Sequence, residues 1–157
     1  MGGEVGMSPA ATCVRELLEE VARGIGVDAE VRVAEQDDVI TGEFVGEDLG
    51  LVIGHHGQTI DAIQHLAYRI AFRQTEEAVR VVIDAAGYRE RRAVALRAAA
   101  DQAAEAAVHD RRPVALEAMS ALERKVVHEH LKTRHDVETY SEGQEPDRRL
   151  VVAPLVD

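Results

Sequence analysis

Two glycines bracket a pair of histidines in the stretch that decides the fold, Leu51-Val52-Ile53-Gly54-His55-His56-Gly57-Gln58-Thr59-Ile60-Asp61-Ala62-Ile63. Upstream, a short apolar turn can stop at Gly54, because glycine accepts the positive φ of a helix C-cap. Downstream, apolar residues recur every three or four positions to Ala71, which predicts a helix with one buried face. Its N-terminal amides, with about half a positive charge, would point at the glycine loop. The stretch therefore predicts a helix-loop-helix whose loop lets a sugar-phosphate backbone approach the main chain.

The segments around this loop predict a mixed α+β unit over residues 9–86. A helix is expected at residues 9–23, a hairpin of two strands at 30–35 and 39–45, and a third strand at 79–84. Residues 24–29 superficially match a dinucleotide-binding fingerprint, but they follow a helix and precede a strand, which is the wrong context. We expect a three-stranded sheet with helices on one face, preceded by a disordered segment at residues 1–8.

The glycine loop resembles the nucleic-acid-binding loop of the K homology (KH) domain, in which Gly-x-x-Gly clamps about four nucleotides. The order helix, strand, strand, helix, helix, strand also resembles the type II KH arrangement. The resemblance implies RNA contact through Ile53, Gly54, His55, His56, Gly57, Gln58 and Thr59. We expect Ile53, Ile60 and Ile63 to offer apolar surface to the bases. Histidines stand where such loops usually carry Lys or Arg, so phosphate attraction should be weaker.

Residues 87–112 predict a long connecting helix whose stripe of alanines buries little. Three arginines, Arg89, Arg91 and Arg92, lie in its first turn, where the helix dipole disfavours cations by about 0.3–1 kcal/mol each. This placement has two explanations. Either Arg89 and Arg92 contact RNA phosphates, or the cluster is solvated and ion-paired.

Residues 113–157 predict a second, smaller α/β unit. Ser120 and Glu123 form a capping-box pattern, so a helix should run from there to about residue 132. On this helix Met119, Leu122 and Val126 group on one face. Arg124 and His128, four residues apart, are expected to point outward together. Strands at 137–141 and 148–152, joined by a turn, would place Arg148 or Arg149 near the sheet surface.

The pattern Arg124-x-x-x-His128, followed by residues 140–143 and 146–152, resembles the R-three-H domain, which binds single-stranded nucleic acid. A KH-like unit followed by an R-three-H-like unit is similar to the bacterial Jag family of SpoIIIJ-associated RNA-binding proteins, linked to cell elongation and division. The resemblance covers nearly the whole chain from about residue 10.

The Jag resemblance implies binding of single-stranded RNA through Gly54–Gly57 and through Arg124 and His128. It also implies pairing with a small single-KH partner protein. Beyond the resemblance, we expect Arg149 to add a phosphate contact. Apart from the resemblance, the sequence leaves a homodimer open. Ala118 stands where a proline is expected. The sequence contains no run of about 18 apolar residues, so we expect no integral membrane association. The extra N-terminal domain of some members is not expected here, which argues against a membrane-associated role.

Composition limits the function further. The net charge of −11 opposes nucleic-acid binding, but residues 1–50 carry 12 acidic against 3 basic side chains, and residues 51–157 carry 17 against 15. The second part is therefore nearly neutral, and we expect modest, salt-sensitive affinity. An aromatic content of 3% argues against base-stacking RRM or OB sheets. The single Cys13 excludes an internal disulfide and favours a reducing cytoplasm.

Catalytic and metal-binding patterns are missing from the sequence. His128-Glu129 begins a His-Glu-x-x-His zinc motif, but Lys132 stands at the closing position. We therefore expect neither an enzyme nor a cofactor or metal site. The alternative function is a protein-interaction adaptor, whose acidic first 50 residues and alanine stripe recruit partners after the KH loop has lost RNA binding.

Overall fold

The computed structural model describes residues 6–155, which divide into two compact units between Arg89 and Glu90. Residues 1–5, part of the predicted disordered segment, lie outside the described residues. The prediction of disorder is wrong for Met7 and Ser8. Met7 packs against the first core, and the Ser8 hydroxyl accepts a hydrogen bond from the Ala11 amide at 3.1 Å. Ser8 thereby caps the first helix.

The first unit has the predicted order of elements. These are α1 (Pro9–Ile25), β1 (Glu30–Gln36), β2 (Val39–Val45), the short helix α2 (Gly50–Ile53), a single 3-10 turn (His55–Gly57), α3 (Gln58–Thr75) and β3 (Arg80–Ala85). The sheet has the order β1-β2-β3, with β1 antiparallel and β3 parallel to β2. Both α1 and α3 pack on this sheet and on each other. The α+β fold predicted for this part of the chain is confirmed.

The core of the first unit holds α3 in place behind the glycine loop. Its largest fully buried side chains include Leu18 of α1, Ile40 and Phe44 of β2, Ile60 of α3 and Ile83 of β3. Burial of each such side chain contributes about 1.5–3 kcal/mol. Buried contacts with α1, β2 and β3 therefore fix the start of α3. They also fix the position of the glycine loop that precedes it.

The second unit comprises most of α4 (Tyr88–Asp110), with β4 (Val114–Ala118), α5 (Ala121–Leu131), β5 (Val137–Glu142) and β6 (Arg149–Pro154). Its sheet has the order β4-β6-β5 and is antiparallel throughout. Strand β4 was not predicted from the sequence. This strand is short and irregularly paired, with a register shift between Ala115 and Ala118, so its own pattern is weak.

The alanine stripe of α4 is part of the second core. Ala100, Ala104 and Ala107 are fully buried and pack with Val127 and Leu131 of α5 and with other side chains of this unit. The prediction that this stripe buries little is wrong. Small side chains let neighbouring elements approach the helix backbone closely, so a narrow stripe can be fully covered. Most of the predicted connecting helix thus belongs to the second unit's core.

The predicted orientation of α5 is also wrong in part. Leu122 is 70% exposed, whereas Arg124 is only 8% exposed. Val127 and Leu131 set the inward stripe, and Arg124 lies three residues before Val127 on that same side. Leu122, about 200° around the helix from Arg124, consequently faces away from the core.

Candidate nucleic-acid interface

Gly54 has a backbone conformation that requires glycine. Its φ and ψ are 73° and 179°, a region open essentially to glycine alone. A Cβ atom here would lie 2.1 Å from Thr59 Oγ1 and 2.9 Å from the Thr59 backbone nitrogen. The loop thus returns tightly onto the first turn of α3, and any side chain at Gly54 would collide with it.

Gly57 is the N-cap residue of α3, with left-handed φ and ψ of 77° and 12°. A Cβ atom at this position would lie 2.6 Å from the Tyr88 hydroxyl oxygen and 2.7 Å from Tyr88 Cε1. The phenol ring therefore occupies the Cβ side of this buried glycine. The sequence does not point to Tyr88 as a neighbour of the loop, because no local pattern connects it with a glycine 31 residues earlier.

The two loop histidines lie between these glycines. His55 is exposed and His56 is half-buried, and their rings stack with centroids 3.9 Å apart. His56 has a left-handed backbone with φ 51°. The N-cap residue Gly57 supplies no side-chain cap to α3, whereas Ser8 and Ser120 cap α1 and α5. The start of α3 thus combines an uncapped first turn with two imidazoles and the exposed Gln58.

The apolar residues predicted to face the bases have different environments. Ile60 and Ile63 are 0% and 4% exposed in the first core, so the prediction for these two is wrong. The helical period that made them look amphipathic turns them inward. Ile53 is half-buried and packs against the core, and Leu51 of α2 is 64% exposed. Leu51 is the large apolar side chain of α2 that stands open to solvent.

Arg89 joins the end of β3 to α3. Its Nε donates to the Ile83 carbonyl at 2.7 Å, Nη1 to Asp61 Oδ1 at 2.9 Å and Nη2 to Gln64 Oε1 at 3.0 Å. Three protein acceptors thus hold the guanidinium. These bonds account for an arginine at a helix start, and RNA contact by Arg89 stays a prediction.

Arg92 has a carboxylate partner within the second unit. Its Nε donates to Glu123 Oε1 at 2.7 Å, and the two side chains are 23% and 14% exposed. Glu123 is also the acidic member of the capping box with Ser120, which confirms that predicted pattern. The ion pair compensates for the unfavourable helix dipole at Arg92, whose RNA contact also stays a prediction.

Arg124 links separate segments of the second unit through the hydrogen bonds of its guanidinium. Its Nη1 donates to the Met119 carbonyl at 2.7 Å and, at 3.5 Å, to the Arg148 carbonyl. Its Nη2 donates to Glu145 Oε1 at 2.6 Å. This guanidinium therefore supports backbone before α5 and at the start of β6. The expectation that it points outward with His128 is wrong, because only His128 of the two is exposed.

His128 and Arg149 are accessible but have protein partners. His128 Nδ1 hydrogen-bonds with Thr139 Oγ1 of β5 at 2.5 Å. Arg149 is exposed, and its Nε and Nη2 donate to Glu142 Oε1 at 2.8 and 2.6 Å. These two predicted site residues thus have partners in the hairpin formed by β5 and β6.

A pocket of about 410 Å³ lies between α5 and this hairpin. It brings together Arg124 and His128. It also includes Arg148, the expected alternative to Arg149 at the sheet surface, and three residues that were not predicted to bind RNA: Lys125, Tyr140 and Ser141. Helical spacing would have found Lys125, which lies four residues after Ala121 and three before His128. Tyr140 is 45% exposed, so this pocket offers an aromatic surface beside cations.

The described residues contain no group of three or more His, Cys, Asp or Glu side chains arranged to hold a metal ion. Within residues 6–155, no helix has both the length and the apolar character needed to cross a membrane.

Comparison with known proteins defines the class. Residues 14–83 match the family described as "KhpA/KhpB, KH domain", and residues 94–154 match the R-three-H domain. The molecule is thus a KH domain followed by an R-three-H domain, which confirms both resemblances.

Three curated relatives match most of the chain, and each is named RNA-binding protein KhpB. The relative from Lactiplantibacillus plantarum is 38% identical over 145 residues, which are 90% of this chain and 45% of that protein. The relative from Clostridium symbiosum is 34% identical over 88% of this chain and 63% of its own length. The relative from Bacillus subtilis is 30% identical over 87% of this chain and 66% of its own length.

The chain belongs to the KhpB (Jag) family, as the sequence predicted. It spans about half to two thirds of the length of these curated relatives.

Proposed function

We propose that this protein binds single-stranded RNA through two separate sites, the glycine loop of the first unit and the pocket of the second. The relatives are named as RNA-binding proteins, and both domain types match. The observation that carries the proposal is the glycine-only backbone at Gly54, which delivers the chain to an uncapped start of α3. An uncapped helix start with little side-chain cover is a favourable place for a phosphate.

In the first unit, the RNA backbone lies along the main chain between Gly54 and Thr59. The stacked imidazoles of His55 and His56 flank the strand, and Gln58 offers an exposed amide side chain. Leu51 and Ile53 of α2 provide apolar surface for a base, in place of the buried Ile60 and Ile63. Most of the contact in this site comes from main-chain groups, so it requires few cations.

In the second unit, side chains make the contacts. Lys125, His128 and Arg148 line the pocket and supply positive or hydrogen-bonding groups to phosphates. The exposed ring of Tyr140 offers a stacking surface for one base. Arg124 forms the inner wall, and Arg149 lies on the neighbouring strand beside Glu142.

We further propose that the protein acts without catalysis or cofactor, as a cytoplasmic post-transcriptional regulator with RNA-chaperone character. The family resemblance supports a link to bacterial cell elongation and division, and it supports a small single-KH partner. A homodimer is the other assembly we propose. The net charge of −11 gives weak long-range steering, so binding is modest and falls as salt rises.

Binding of a fluorescent single-stranded RNA, followed by anisotropy at low salt, tests the proposal. The variant His55→Asp/His56→Asp places two carboxylates on the loop without touching either glycine, and aspartate tolerates the left-handed backbone at position 56. We expect affinity to fall by about tenfold or more.

The matched control is His109→Asp/His135→Asp, which makes the same charge change at exposed positions outside the loop and the pocket. We expect the control to stay within about twofold of the wild type. Equal losses in the two double variants would remove the loop from the site. Failure of the wild type to bind at low salt would end the RNA proposal.

The adaptor function is favoured by one observation. The outer side of α3 exposes Leu66, Phe72, Arg69 and Arg73 around a groove of about 520 Å³. The alanine stripe of α4, the other surface expected for an adaptor, is buried in the second core, where no partner can reach it. If RNA binding fails, this face of α3 is the surface to test for a protein partner.

A further inference from the structure

The ion pair between Arg124 and Glu145 is strongly asymmetric. The arginine side chain is 10% exposed, and the glutamate side chain is 58% exposed. Arg124 is fixed by the Met119 carbonyl at 2.7 Å, whereas Glu145 lies in the turn between β5 and β6. Arg124 is therefore held in a fixed position inside the domain, whereas its partner Glu145 lies on an exposed turn.

Glu145 engages Nη2 of Arg124, a donor that an incoming phosphate would also use. Arg124 lines the pocket with Lys125, His128 and Arg148, and its Nη2 donates to Glu145 Oε1 at 2.6 Å. A phosphate oxygen would accept a charge-assisted bond from the same guanidinium in the same way. Because the glutamate side chain is more than half exposed, solvent can replace its contact without opening the core.

We propose that Glu145 is a built-in competitor of the RNA phosphate at Arg124. This inference rests on the proposed function. A strand that enters the pocket displaces the carboxylate, takes its place on Nη2 and leaves Glu145 in solvent. A lone inorganic phosphate would gain only the hydrogen bond to Arg124 that the Glu145 carboxylate gives up. A nucleotide also gains the surface of Tyr140, so the competitor favours strands over free anions.

A purely structural role for Glu145 predicts a different outcome. A latch that only holds the β5–β6 turn would shape the pocket, and its loss would weaken RNA binding or leave it unchanged. A competitor, in contrast, weakens binding in the wild type, so removal of its charge strengthens binding.

The variant Glu145→Gln separates these roles, because glutamine keeps an acceptor oxygen for Arg124 and loses the negative charge. Its control is Glu138→Gln, which makes the same charge change at an exposed position of β5 outside the pocket. We expect Glu145→Gln to bind single-stranded RNA about three- to tenfold more tightly than Glu138→Gln. Equal or weaker binding by Glu145→Gln would overturn the competitor role.

A measurement on the wild type does not depend on how the variant folds. With glutamate side-chain carboxyl carbons labelled, titration with RNA should shift the Glu145 signal as its bond to Arg124 breaks, and the Glu138 signal should stay in place. A Glu145 signal that stays fixed while Tyr140 resonances shift would contradict the exchange.

The two proposals fail in distinguishable ways. If neither the wild type nor Glu145→Gln binds RNA at low salt, the proposed function is wrong. If the wild type binds and the two glutamine variants bind equally, only the competitor role is wrong.

Discussion

The glycine loop and the pocket of the second unit offer an anion two different kinds of surface. At the loop, Gly54 and Gly57 shape the main chain, and no cationic Lys or Arg stands between them. At the pocket, cations are present, but Arg124 is bound by Glu145 and neighbouring Arg149 by Glu142. An acidic protein can thus present main-chain amides at one site and cations paired with carboxylates at the other. The loop should respond to backbone changes, and the pocket to side-chain changes.

The largest effect is expected from Arg124→Ala, which should destabilise the second unit by about 2–4 kcal/mol. Loss of the guanidinium leaves the Met119 carbonyl without this buried hydrogen-bond donor. It also removes the cationic partner of Glu145. Amide hydrogen exchange in β6 under mild denaturant measures this. The neighbouring exposed Lys125→Ala is the control, and equal exchange in the two variants would show that Arg124 is not a structural support.

Gly54→Ala should destabilise the first unit by about 1–3 kcal/mol, because its Cβ would meet Thr59 and its backbone lies in glycine-only space. Gly24→Ala in α1 is the matched control. A Cβ at Gly24 meets nothing within 4 Å, so helix propensity should make this change neutral or stabilising. Denaturant unfolding of each variant gives the comparison. A Gly54→Ala protein as stable as Gly24→Ala would mean that the loop adopts another backbone.

Tyr140→Ala should weaken RNA binding by about tenfold, because the pocket loses its stacking surface. Tyr68→Ala, which removes a partly exposed tyrosine from α3, serves as the control and should change affinity little. Anisotropy titrations with the same RNA measure both. If the two variants lose affinity equally, the second site does not use its aromatic side chain.

The smallest effect is expected from His55→Lys/His56→Lys, which should strengthen RNA binding by about two- to fivefold at neutral pH, since two permanent charges join a main-chain site. The variant His109→Lys/His135→Lys adds the same charge elsewhere. The loop variant should also show the steeper dependence of affinity on salt. Identical salt dependence in both variants would place the strand away from the histidines.

Local patterns predicted much of the first unit. The hairpin, the helix after Gly57 and the third strand each follow from residues adjacent in sequence, and so does the capping box of Ser120 and Glu123. Hydrophobic periodicity and residue spacing are sufficient to predict a helix or strand when that element carries its own hydrophobic pattern. The Gly-x-x-Gly spacing identified the loop in the same way.

Long-range contacts account for what the sequence did not predict. Tyr88 reaches Gly57 from 31 residues away, and Glu145 meets Arg124 from 21 residues away. The inward position of Arg124 depends on acceptors outside α5, and strand β4 depends on pairing with β6. Helical and strand periodicity relates only residues that are close in sequence. The pairing of Arg124 with Glu145 therefore became visible only in the folded structure.

The most direct test of the two-site account is an amide NMR titration of the whole protein with single-stranded RNA. The account predicts saturable shifts of the backbone amides from Gly54 to Ile60 in the first unit, together with shifts around Lys125, Tyr140 and Arg148 in the second. Saturation that leaves the Gly54–Ile60 amides unmoved would contradict the claim that the glycine loop receives the RNA backbone.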